Sequence, residues 1–367
     1  MKRKVIYIKR LNKRKVLKSI FRLLTIPLAL NIIIDILNIK EIIGDGWIKI
    51  LGLDKGSGIY YLLNECINLG KGKELFLWLV FIVAMVIIII HAIFFFLENR
   101  QERLLIIEHN SLNQTRYRYD DEVKNGYNIK RLKFNQYETF NSNMPLEAMI
   151  IKAITETDLN VDKIKGFIAR EYAIGYAGIA NIPITFMLGF ELGDENAKRF
   201  FHKYHGKGTN PELKDDKFHL LKAKTVRSSF ELEVLQELID PERESNIIIV
   251  VSLTQPIENS DFSSIAGFND YIYKYTSSDD IDYDVVDSET QIEQYADKIL
   301  SDIAIIQKKK NVKQIRLCIA ASGAFIFGLG TKFSKTQNIE TVVYHFEKKQ
   351  YPWGINVTKK TPVINLN

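Results

Sequence analysis

The stretch Leu75–Leu97, LFLWLVFIVAMVIIIIHAIFFFL, constrains this chain more than any other. It contains 23 residues without a formal charge, and only His91 interrupts its apolar run. As a helix rising about 1.5 Å per residue it would measure about 34 Å, enough to cross the hydrocarbon core of a bilayer with some tilt. A buried helix of a soluble protein rarely stays apolar on every face over such a length. We therefore predict a transmembrane helix over residues 75–97.

A second membrane-spanning helix is predicted over about residues 19–39. Its centre, Leu23–Ile34, holds 12 uncharged residues, and ten Lys or Arg with no acid lie in residues 1–22. A signal peptide would share this charge and short apolar core, but no small-residue cleavage site follows. Basic segments stay on the cytoplasmic side, so the N-terminus is expected inside, and two crossings return the chain to the cytosol. Residues 1–97 thus form a membrane anchor.

The remaining charge and the cysteines describe the soluble part, residues 98–367. The whole chain has a net charge of +6, so the residues after Arg22 sum to −4 (6 minus 10). The excess of positive charge therefore lies beside the membrane segment, and no duplex nucleic acid is expected as a partner. Cys66 and Cys318 fall on opposite sides of the helix at 75–97, so no intrachain disulfide is expected and the soluble part is predicted to be cytosolic.

Short apolar strands alternate with amphipathic helices in the soluble part, which predicts an α/β fold. Ile247–Leu253 and Ile315–Ala321 are continuous apolar runs, typical of strands buried on both faces. Glu340–Phe346 is predicted as another strand. Between the first two, apolar residues at helical spacing mark one face of a helix. They are Ile292, Tyr295, Ala296, Ile299, Leu300, Ile303 and Ile306.

An internal repeat divides this α/β part into two units. The tetrapeptide SLNQ at Ser111–Gln114 recurs as SLTQ at Ser252–Gln255, an offset of 141 (252 minus 111). Each copy follows an apolar strand, and the pair Leu-Gly at 188–189 matches the pair at 329–330 with the same offset. A duplicated α/β unit is predicted, with a first half over residues 98–240 and a second half over residues 241–367.

Two stretches begin like ligand-binding loops without completing the motif. Gly323–Thr331 is glycine-rich like a phosphate loop, but Leu329 stands where the lysine is required. The alternating acids of Asp280–Asp284 begin like a calcium loop, but Val285 replaces the glycine and Gln291 the final carboxylate. We interpret the second as a solvated acidic loop.

Metal-binding and catalytic motifs are also missing. His202 and His205 lie three residues apart with His219 nearby, but no acid or cysteine completes a metal-binding set, so no metal is predicted. No GxSxG or HExxH sequence occurs. A triad scattered along the chain would escape this search. The sequence predicts no catalytic residue, no enzyme activity and no cofactor.

Polar residues at the ends of related strands form the candidate ligand site. Ligands of open α/β sheets bind beyond the carboxyl ends of the strands, where backbone amides and helix N-termini attract anions. A glycine there lets a phosphate approach the backbone. The predicted ligand-binding residues are Ser111, Asn113, Gln114, Ser252, Thr254, Gln255, Ser322 and Gly323. The alternative is that these residues only cap turns.

The C-terminal third of the sequence resembles a known family. Ile315–Phe346, IRLCIAASGAFIFGLGTKFSKTQNIETVVYHF, followed by Tyr351-Pro352-Trp353, resembles the C-terminal signature of SAVED domains. The resemblance is firm over about residues 246–357 and weaker over residues 104–240. Family members usually carry a proline in the loop after the first of these strands, where this chain has Ser322-Gly323-Ala324. SAVED domains resemble two fused CARF-like Rossmann units, which agrees with the repeat.

With its two N-terminal helices, the chain resembles the two-helix transmembrane SAVED effectors of bacterial CBASS antiphage systems. That resemblance implies binding of a cyclic oligonucleotide, with a cyclic trinucleotide favoured, made by a partner nucleotidyltransferase of the CD-NTase type. It also implies homo-oligomerisation on ligand binding and disruption of the lipid bilayer of the inner membrane, as abortive infection. The protein is accordingly expected to be a multi-pass inner-membrane protein with both termini and the SAVED domain in the cytosol.

Three alternative functions stay open at this stage. A membrane-tethered enzyme, such as a ring nuclease, would need a base or a metal site beside the pocket. A CRISPR-linked signalling protein could use the same sensor. A scaffold that responds to no small molecule would have a pocket filled by apolar side chains, in place of Ser, Thr, Asn and Gln.

Overall fold

The computed structural model describes residues 102–194, 198–205, 217–226, 228–309 and 311–365, together with Val86, Ile90 and Ile93. The chain divides into two units, Met1–Arg100 and Gln101–Asn367, and the second is described below. No helix within the described residues is both long and apolar enough to cross a membrane. The spans predicted over residues 19–39 and 75–97 lie outside the described residues, apart from the three helical positions just named.

The described elements follow one another as an alternation of strands and helices. The first group contains β1 (Arg103–Asn110), α1 (Asp121–Gly126), β2 (Asn128–Asn135), α2 (Tyr137–Phe140), α3 (Leu146–Ile168), β3 (Ala173–Ile179), α4 (Ile182–Leu192), β4 (Lys198–His202) and β5 (His219–Leu220). The second contains β6 (Phe230–Gln236), β7 (Ser245–Ser252), a 3₁₀ turn (Asn259–Phe262), β8 (Tyr271–Ser277), α5 (Glu289–Ile306), β9 (Val312–Ala320), α6 (Gly323–Lys332), β10 (Glu340–Glu347), β11 (Gln350–Asn356) and β12 (Thr361–Ile364).

Two sheets with the same central topology carry these elements. One has the order β2-β1-β3-β4-β5 and the other the order β12-β11-β10-β9-β7-β8-β6. The strands β2-β1-β3-β4 are mutually parallel, and so are β8-β7-β9-β10, which occupy the same places in the second sheet. The α/β class is confirmed, and these mixed sheets are of the Rossmann-like kind that the family resemblance implied. We call the β1–β5 group the first half and the β6–β12 group the second half.

The buried strands form where the sequence is continuously apolar. Residues 247–251 of β7 and 104–107 of β1 are completely buried, because apolar side chains from helices and loops pack on both faces. The strands predicted at 247–253, 315–321 and 340–346 are confirmed with ends that differ by at most three residues. The predicted helix face is confirmed as the buried face of α5, except that Leu300 is only partly buried.

One difference concerns where the chain passes from one sheet to the other. The predicted boundary at residue 240 assigned Phe230–Gln236 to the first half. This strand, β6, instead pairs antiparallel with β8 at the edge of the second sheet. Its alternating, half-exposed side chains are typical of an edge strand, and nothing in that pattern specifies which sheet it joins.

The two halves meet through α4 and α6, which correspond at an offset of 141 (323 minus 182). A Cβ added at Gly189 would lie closer than 3.0 Å to the backbone oxygen of Phe327, and one at Gly330 closer than 3.0 Å to the backbone oxygen of Phe186. The two contacts are equivalent under the same offset, so a pseudo-twofold axis passes between the helices. Glycine is needed at both positions because only a residue without a Cβ lets the two backbones come this close. One continuous hydrophobic core includes buried residues of both sheets.

Candidate functional site

A cavity of about 260 Å³ lies at the carboxyl ends of β3 and β9, beside the first turns of α4 and α6. Residues of both halves line it. They are Leu112, Gly178, Ile179, Ala180, Ile182, Phe201, His202, Lys203, His205, Phe218, Thr254, Gln255, Tyr283, Ala320, Ala321, Ser322, Gly323, Ala324, Ile326, His345 and Phe346. The topology explains why residues of both halves line one cavity. In each sheet the parallel strands end at one edge, and the pseudo-twofold axis brings these two carboxyl edges together.

Two helix N-termini open beside this cavity. The first turns of α4 and α6 carry backbone N–H groups that lack partners within their helices, and the helix dipole adds partial positive charge there. Ser322 is the N-cap of α6, and its hydroxyl accepts a hydrogen bond of 3.4 Å from the N–H of Phe325. A Cβ at Gly323 would stand 2.8 Å from the carbonyl oxygen of Gly178, so glycine is required for this close approach of the two halves.

His345 supplies a buried polar atom that lacks a partner. It lies near the end of β10, is only 7% exposed, and lines the cavity. Its Nδ1 has no hydrogen-bond partner among the described residues. Burial lowers the pKa of His345 to about 4, with Glu347 opposing that shift, so the ring is neutral at pH 7. A buried, unsatisfied ring nitrogen costs free energy, which a ligand group could recover.

A cluster of His202, His205 and Asp284 stands at the edge of the cavity. The Nε2 of His202 is 3.0 Å from Oδ1 of Asp284, and the Nδ1 of His205 is 3.4 Å from the same oxygen. Burial by itself would raise the pKa of Asp284, but hydrogen bonds from His202 and from the N–H and ring of His205 lower it to about 2. We predicted no metal here because no acid or cysteine near these histidines in the sequence completed a set. The fold supplies an acid, Asp284, from 79 residues beyond His205.

A larger cavity of about 880 Å³ lies nearby, but its charge is negative. Its lining includes five acids, namely Asp279, Asp280, Asp282, Asp284 and Asp287. Lys224 is the basic residue of this lining, and it forms a 2.8 Å ion pair with Asp287. Such a surface repels anions. The smaller cavity, which is lined by two helix N-termini and by Lys203, is therefore the better candidate for an anionic ligand.

A family model matches just over half of the chain. Residues 161–357 match the SAVED family, described as the SMODS-associated and fused to various effectors sensor domain. The chain belongs to the SAVED family. The match begins within α3 and ends just after β11, so it includes the cavity residues of the second half and those of β3, α4 and β4.

Solved structures similar to this SAVED chain include Cap4 receptors. One is the Acinetobacter baumannii Cap4 SAVED/CARF-domain containing receptor with the cyclic trinucleotide 3'3'3'-cAAA, at 16% identity and a TM-score of 0.42, covering 68% of this chain and 50% of that one. Another is the Moraxella osloensis Cap4 SAVED/CARF-domain containing receptor, at 12% identity and a TM-score of 0.38, covering 73% and 50%. The chain thus spans about half the length of these receptors. A comparison with curated proteins gave no match.

In this SAVED domain, four of the eight predicted site residues line the cavity: Thr254, Gln255, Ser322 and Gly323. The N–H of Thr254 donates to the carbonyl oxygen of Ala320 at 3.0 Å, which fixes the loop after β7 against the end of β9. The side-chain amide of Gln255 donates to the hydroxyl of Tyr283 at 2.7 Å. Three of the four residues therefore offer side-chain polar groups at the cavity wall.

Ser111 and Ser252 have a structural role in the SAVED domain. They are 1% and 0% exposed. The hydroxyl of Ser111 accepts from the N–H of Asn181 at 2.6 Å. The hydroxyl of Ser252 donates to the carbonyl oxygen of Gln255 at 2.8 Å and accepts from the N–H of Ile257 at 3.1 Å. Both hydroxyls are thus hydrogen-bonded to backbone groups. At these two positions the contacts are those of turn-capping residues.

Asn113 and Gln114 are exposed and are not among the cavity residues. The side-chain oxygen of Asn113 accepts a hydrogen bond from the hydroxyl of Thr115. Their neighbour Leu112 lines the cavity in their place. The repeat identified the correct loop in the first half, but the side chains that reach the cavity differ from those of the second half.

Sequence reasoning missed His345 and Asp284. His345 stood in the stretch that resembles the family, two residues before the end of β10, and a polar residue at a strand end was a usable signal. Asp284 gave no such signal. It belongs to the run of acids that we interpreted as solvated, and only the tertiary fold places it against His202.

Proposed function

We propose that this SAVED domain is a sensor that binds a cyclic oligonucleotide, with a cyclic trinucleotide favoured, in the cavity between its halves. One observation carries the proposal. The N-termini of α4 and α6 meet at a cavity in which the buried Nδ1 of His345 has no partner among the described residues. Family membership supports a sensor role, and the resemblance of the sequence supports the class of ligand.

The chemistry of the cavity suits a phosphodiester with attached bases. Backbone N–H groups at the two helix starts would donate to phosphate oxygens, as helix N-termini do at many phosphate sites. Thr254 and Gln255 offer side-chain hydrogen bonds, and Lys203 contributes a positive charge. Apolar side chains such as Phe201, Phe346 and Ile326 line the same space and would pack against a base.

The binding test uses the full chain and a panel of cyclic di-, tri- and tetranucleotides. We expect a specific cyclic trinucleotide to raise the thermal midpoint, because a ligand that binds only the folded state stabilises it. Thr254→Ala and Gln255→Ala should each weaken binding, since a hydrogen bond to a charged group is worth about 1.5–3 kcal/mol. His345→Phe should weaken it as well.

Asn113→Ala and Gln114→Ala are the matched controls, because these two residues belong to the related loop of the first half but do not line the cavity. Their affinity should equal that of the unaltered chain. Equal affinity in all five variants would contradict the proposed site, and the absence of binding by the whole panel would contradict the proposed ligand class.

We also propose that the protein senses the ligand without degrading it. The sequence shows no catalytic motif. Incubating the bound cyclic oligonucleotide with the protein, with and without added Zn²⁺ or Mn²⁺, should return it intact by chromatography. Linear products formed at a rate that depends on the protein would instead favour the ring-nuclease alternative.

The effector step is proposed to occur at the inner membrane. The proposal rests on the apolar stretch at 75–97, the predicted span at 19–39 and the basic segment before Leu23. A nucleotidyltransferase would make the signal, and its binding would cluster the SAVED domains and their anchors into a homo-oligomer that disrupts the bilayer. A CRISPR system is the alternative source of the signal.

Topology and leakage experiments test this step separately from binding. A cysteine placed near Asn367 should be shielded from impermeant thiol reagents in intact cells, and labelling from outside would contradict the topology. Asn31 and Asp35 share one face of the first predicted span. Replacing both with leucine should preserve ligand binding but abolish ligand-induced dye leakage from vesicles. Leakage equal to that of the unaltered protein would mean that another part of the anchor disrupts the bilayer.

A further inference from the structure

We propose that His202, His205 and Asp284 bind a divalent transition metal ion, with zinc the best fit, and that the ion joins the two halves at the edge of the cavity. His202 ends β4 of the first half, whereas Asp284 lies in the loop before α5 of the second half. The proposal does not depend on the ligand proposed above, because it concerns only these three side chains.

The spacing of the three ligand atoms suits a tetrahedral ion. Zinc bonds imidazole nitrogen and carboxylate oxygen at about 2.0–2.2 Å, so neighbouring ligand atoms of a tetrahedral site lie about 3.3–3.6 Å apart. The two histidine nitrogens lie 3.0 and 3.4 Å from Oδ1 of Asp284. All three ligand atoms lie within 4.8 Å of one another. The two nitrogen–oxygen distances therefore need to change by only a few tenths of an ångström for an ion to enter.

The ligand types select the metal. Two imidazoles and one carboxylate suit zinc and its neighbours in the first transition row, whereas calcium and magnesium prefer sets of oxygen atoms. Three protein ligands leave one coordination position for water or another group. This is the pattern of a site that is open to exchange.

The surroundings hold the ligands in place as supporting groups do in metal sites. The backbone N–H of His205 lies 3.0 Å from each oxygen of Asp284 and donates to that carboxylate, which orients it. The ring of Tyr204 meets the ring of His202 edge to face, with centroids 4.9 Å apart. The ring of Tyr283 lies 4.8 Å from that of His205. The polar atoms are thus presented by restrained side chains.

Two of the three ligands are buried, and the third is open to solvent. The side chains of Asp284 and His202 are 0% and 6% exposed, whereas that of His205 is 49% exposed. An ion would arrive from the His205 side and complete its bonds against the two buried ligands. Two ring nitrogens converge on a single carboxylate oxygen in this cluster, and an ion between them would satisfy all three atoms at once.

Zinc titration of the full chain tests the proposal. The chain is stripped with a chelator, dialysed and titrated with Zn²⁺ by calorimetry, and Co²⁺ serves as a second, spectroscopic probe. We expect one ion per chain and a higher thermal midpoint with zinc than with chelator. His205→Ala should weaken zinc binding by more than the roughly 10–100-fold that loss of a supporting group costs. Asp284→Asn should do the same.

His219→Ala is the matched control. His219 lies nearby in the sequence, but its Nδ1 pairs with Asp120 at 2.8 Å, outside the cluster. It should retain one tightly bound ion. Should His202→Ala fail to fold, His205→Ala still decides the question, because its half-exposed ring contributes little to the core. Zinc binding of unchanged affinity in His205→Ala and Asp284→Asn, or no stoichiometric binding by the unaltered chain, would overturn the proposal.

Discussion

The two halves share a backbone plan but differ in what they bury along their central strands. In the first half, the Nδ1 of His109 on β1 lies 3.1 Å from the hydroxyl of Tyr176, and that hydroxyl lies 3.2 Å from Oγ1 of Thr185. The Nε2 of His109 lies 3.2 Å from the side-chain oxygen of Gln136. The residues at the offset of 141 from His109, Tyr176 and Thr185 are Val250, Leu317 and Ile326, which are all buried and apolar.

This difference shows which properties of a duplicated unit the fold requires. Both halves keep the helix starts at the cavity and the glycines of the α4–α6 contact, because these determine how the halves fit together. The interior of each sheet is less constrained, since either a satisfied polar network or an apolar core can fill it. The polar version carries a greater risk, because removing one member leaves buried groups without partners.

Acid should have the largest effect, and it should act on both halves through one histidine each. Burial lowers the pKa values of His109 and His345 to about 4, against about 6.5 for an unperturbed histidine. The unfolded chain therefore binds protons that the folded chain does not. The contribution of these two histidines to the free energy of unfolding should be fully present above pH 6.5 and should be lost as the pH drops from 6.5 to about 4. A pKa difference of this size corresponds to about 3 kcal/mol for each group.

Urea unfolding from pH 7.5 to pH 4.5 measures this dependence on the full chain. His345→Gln and His109→Gln should each flatten the slope of stability against pH by a comparable amount, whatever they do to absolute stability. A slope that His345→Gln leaves unchanged would mean that this histidine has the same pKa in the folded and unfolded chain, and would assign the acid sensitivity to the first half.

The glycine contact between α4 and α6 should give the next largest effect. Gly189→Ala and Gly330→Ala each place a methyl group against backbone of the other helix, and overpacking of this kind costs about 1–3 kcal/mol. Thermal unfolding should show similar losses for both, because the positions are equivalent. Gly166→Ala in α3 is the control. It has open space around it and should be neutral or slightly stabilising, since alanine favours a helix by up to about 1 kcal/mol. Clearly unequal losses would contradict the pseudo-twofold contact.

Two tyrosine substitutions sharpen the contrast between the interiors. Tyr176→Phe leaves His109 and Thr185 without a shared partner and should cost about 1–3 kcal/mol. Tyr351→Phe in the second half should be neutral or stabilising, because its buried hydroxyl has no partner among the described residues. Chemical denaturation of both variants measures the difference. Equal costs would show that the first-half network adds nothing beyond the packing of its rings.

The helix caps should show the smallest difference. Ser322 and Asn181 are equivalent N-caps, but only the Ser322 side chain accepts a hydrogen bond from its helix. Ser322→Ala should cost about 1 kcal/mol, and Asn181→Ala should cost less than half of that. Thermal midpoints measured side by side are sufficient to rank them. A larger loss for Asn181→Ala would mean that its side chain supports another contact.

The sequence predicted what local pattern controls. Apolar runs located β7, β9 and β10, helical spacing located the buried face of α5, and the repeated tetrapeptide located equivalent loops. The same reasoning could not separate ligand contact from turn capping, because a serine after a strand suits both. Ser111 and Ser252 therefore stood in the predicted site although their hydroxyls bond to backbone. Asp284 is a tertiary neighbour of His202 at a separation of 82 residues, and no local pattern specifies such a pair.

The contact between α4 and α6 also affects the order in which a ribosome makes this protein. Nearly every residue of α4 is buried in the finished fold, and much of that cover comes from α6. At about 5–20 residues per second, the roughly 140 residues between the ends of the two helices take about 7–28 s to synthesise. During that interval the apolar residues of α4 are present on the nascent chain without α6 to cover them. Aggregation and chaperone capture compete with folding in this period, so the speed of translation affects how much active protein a cell obtains.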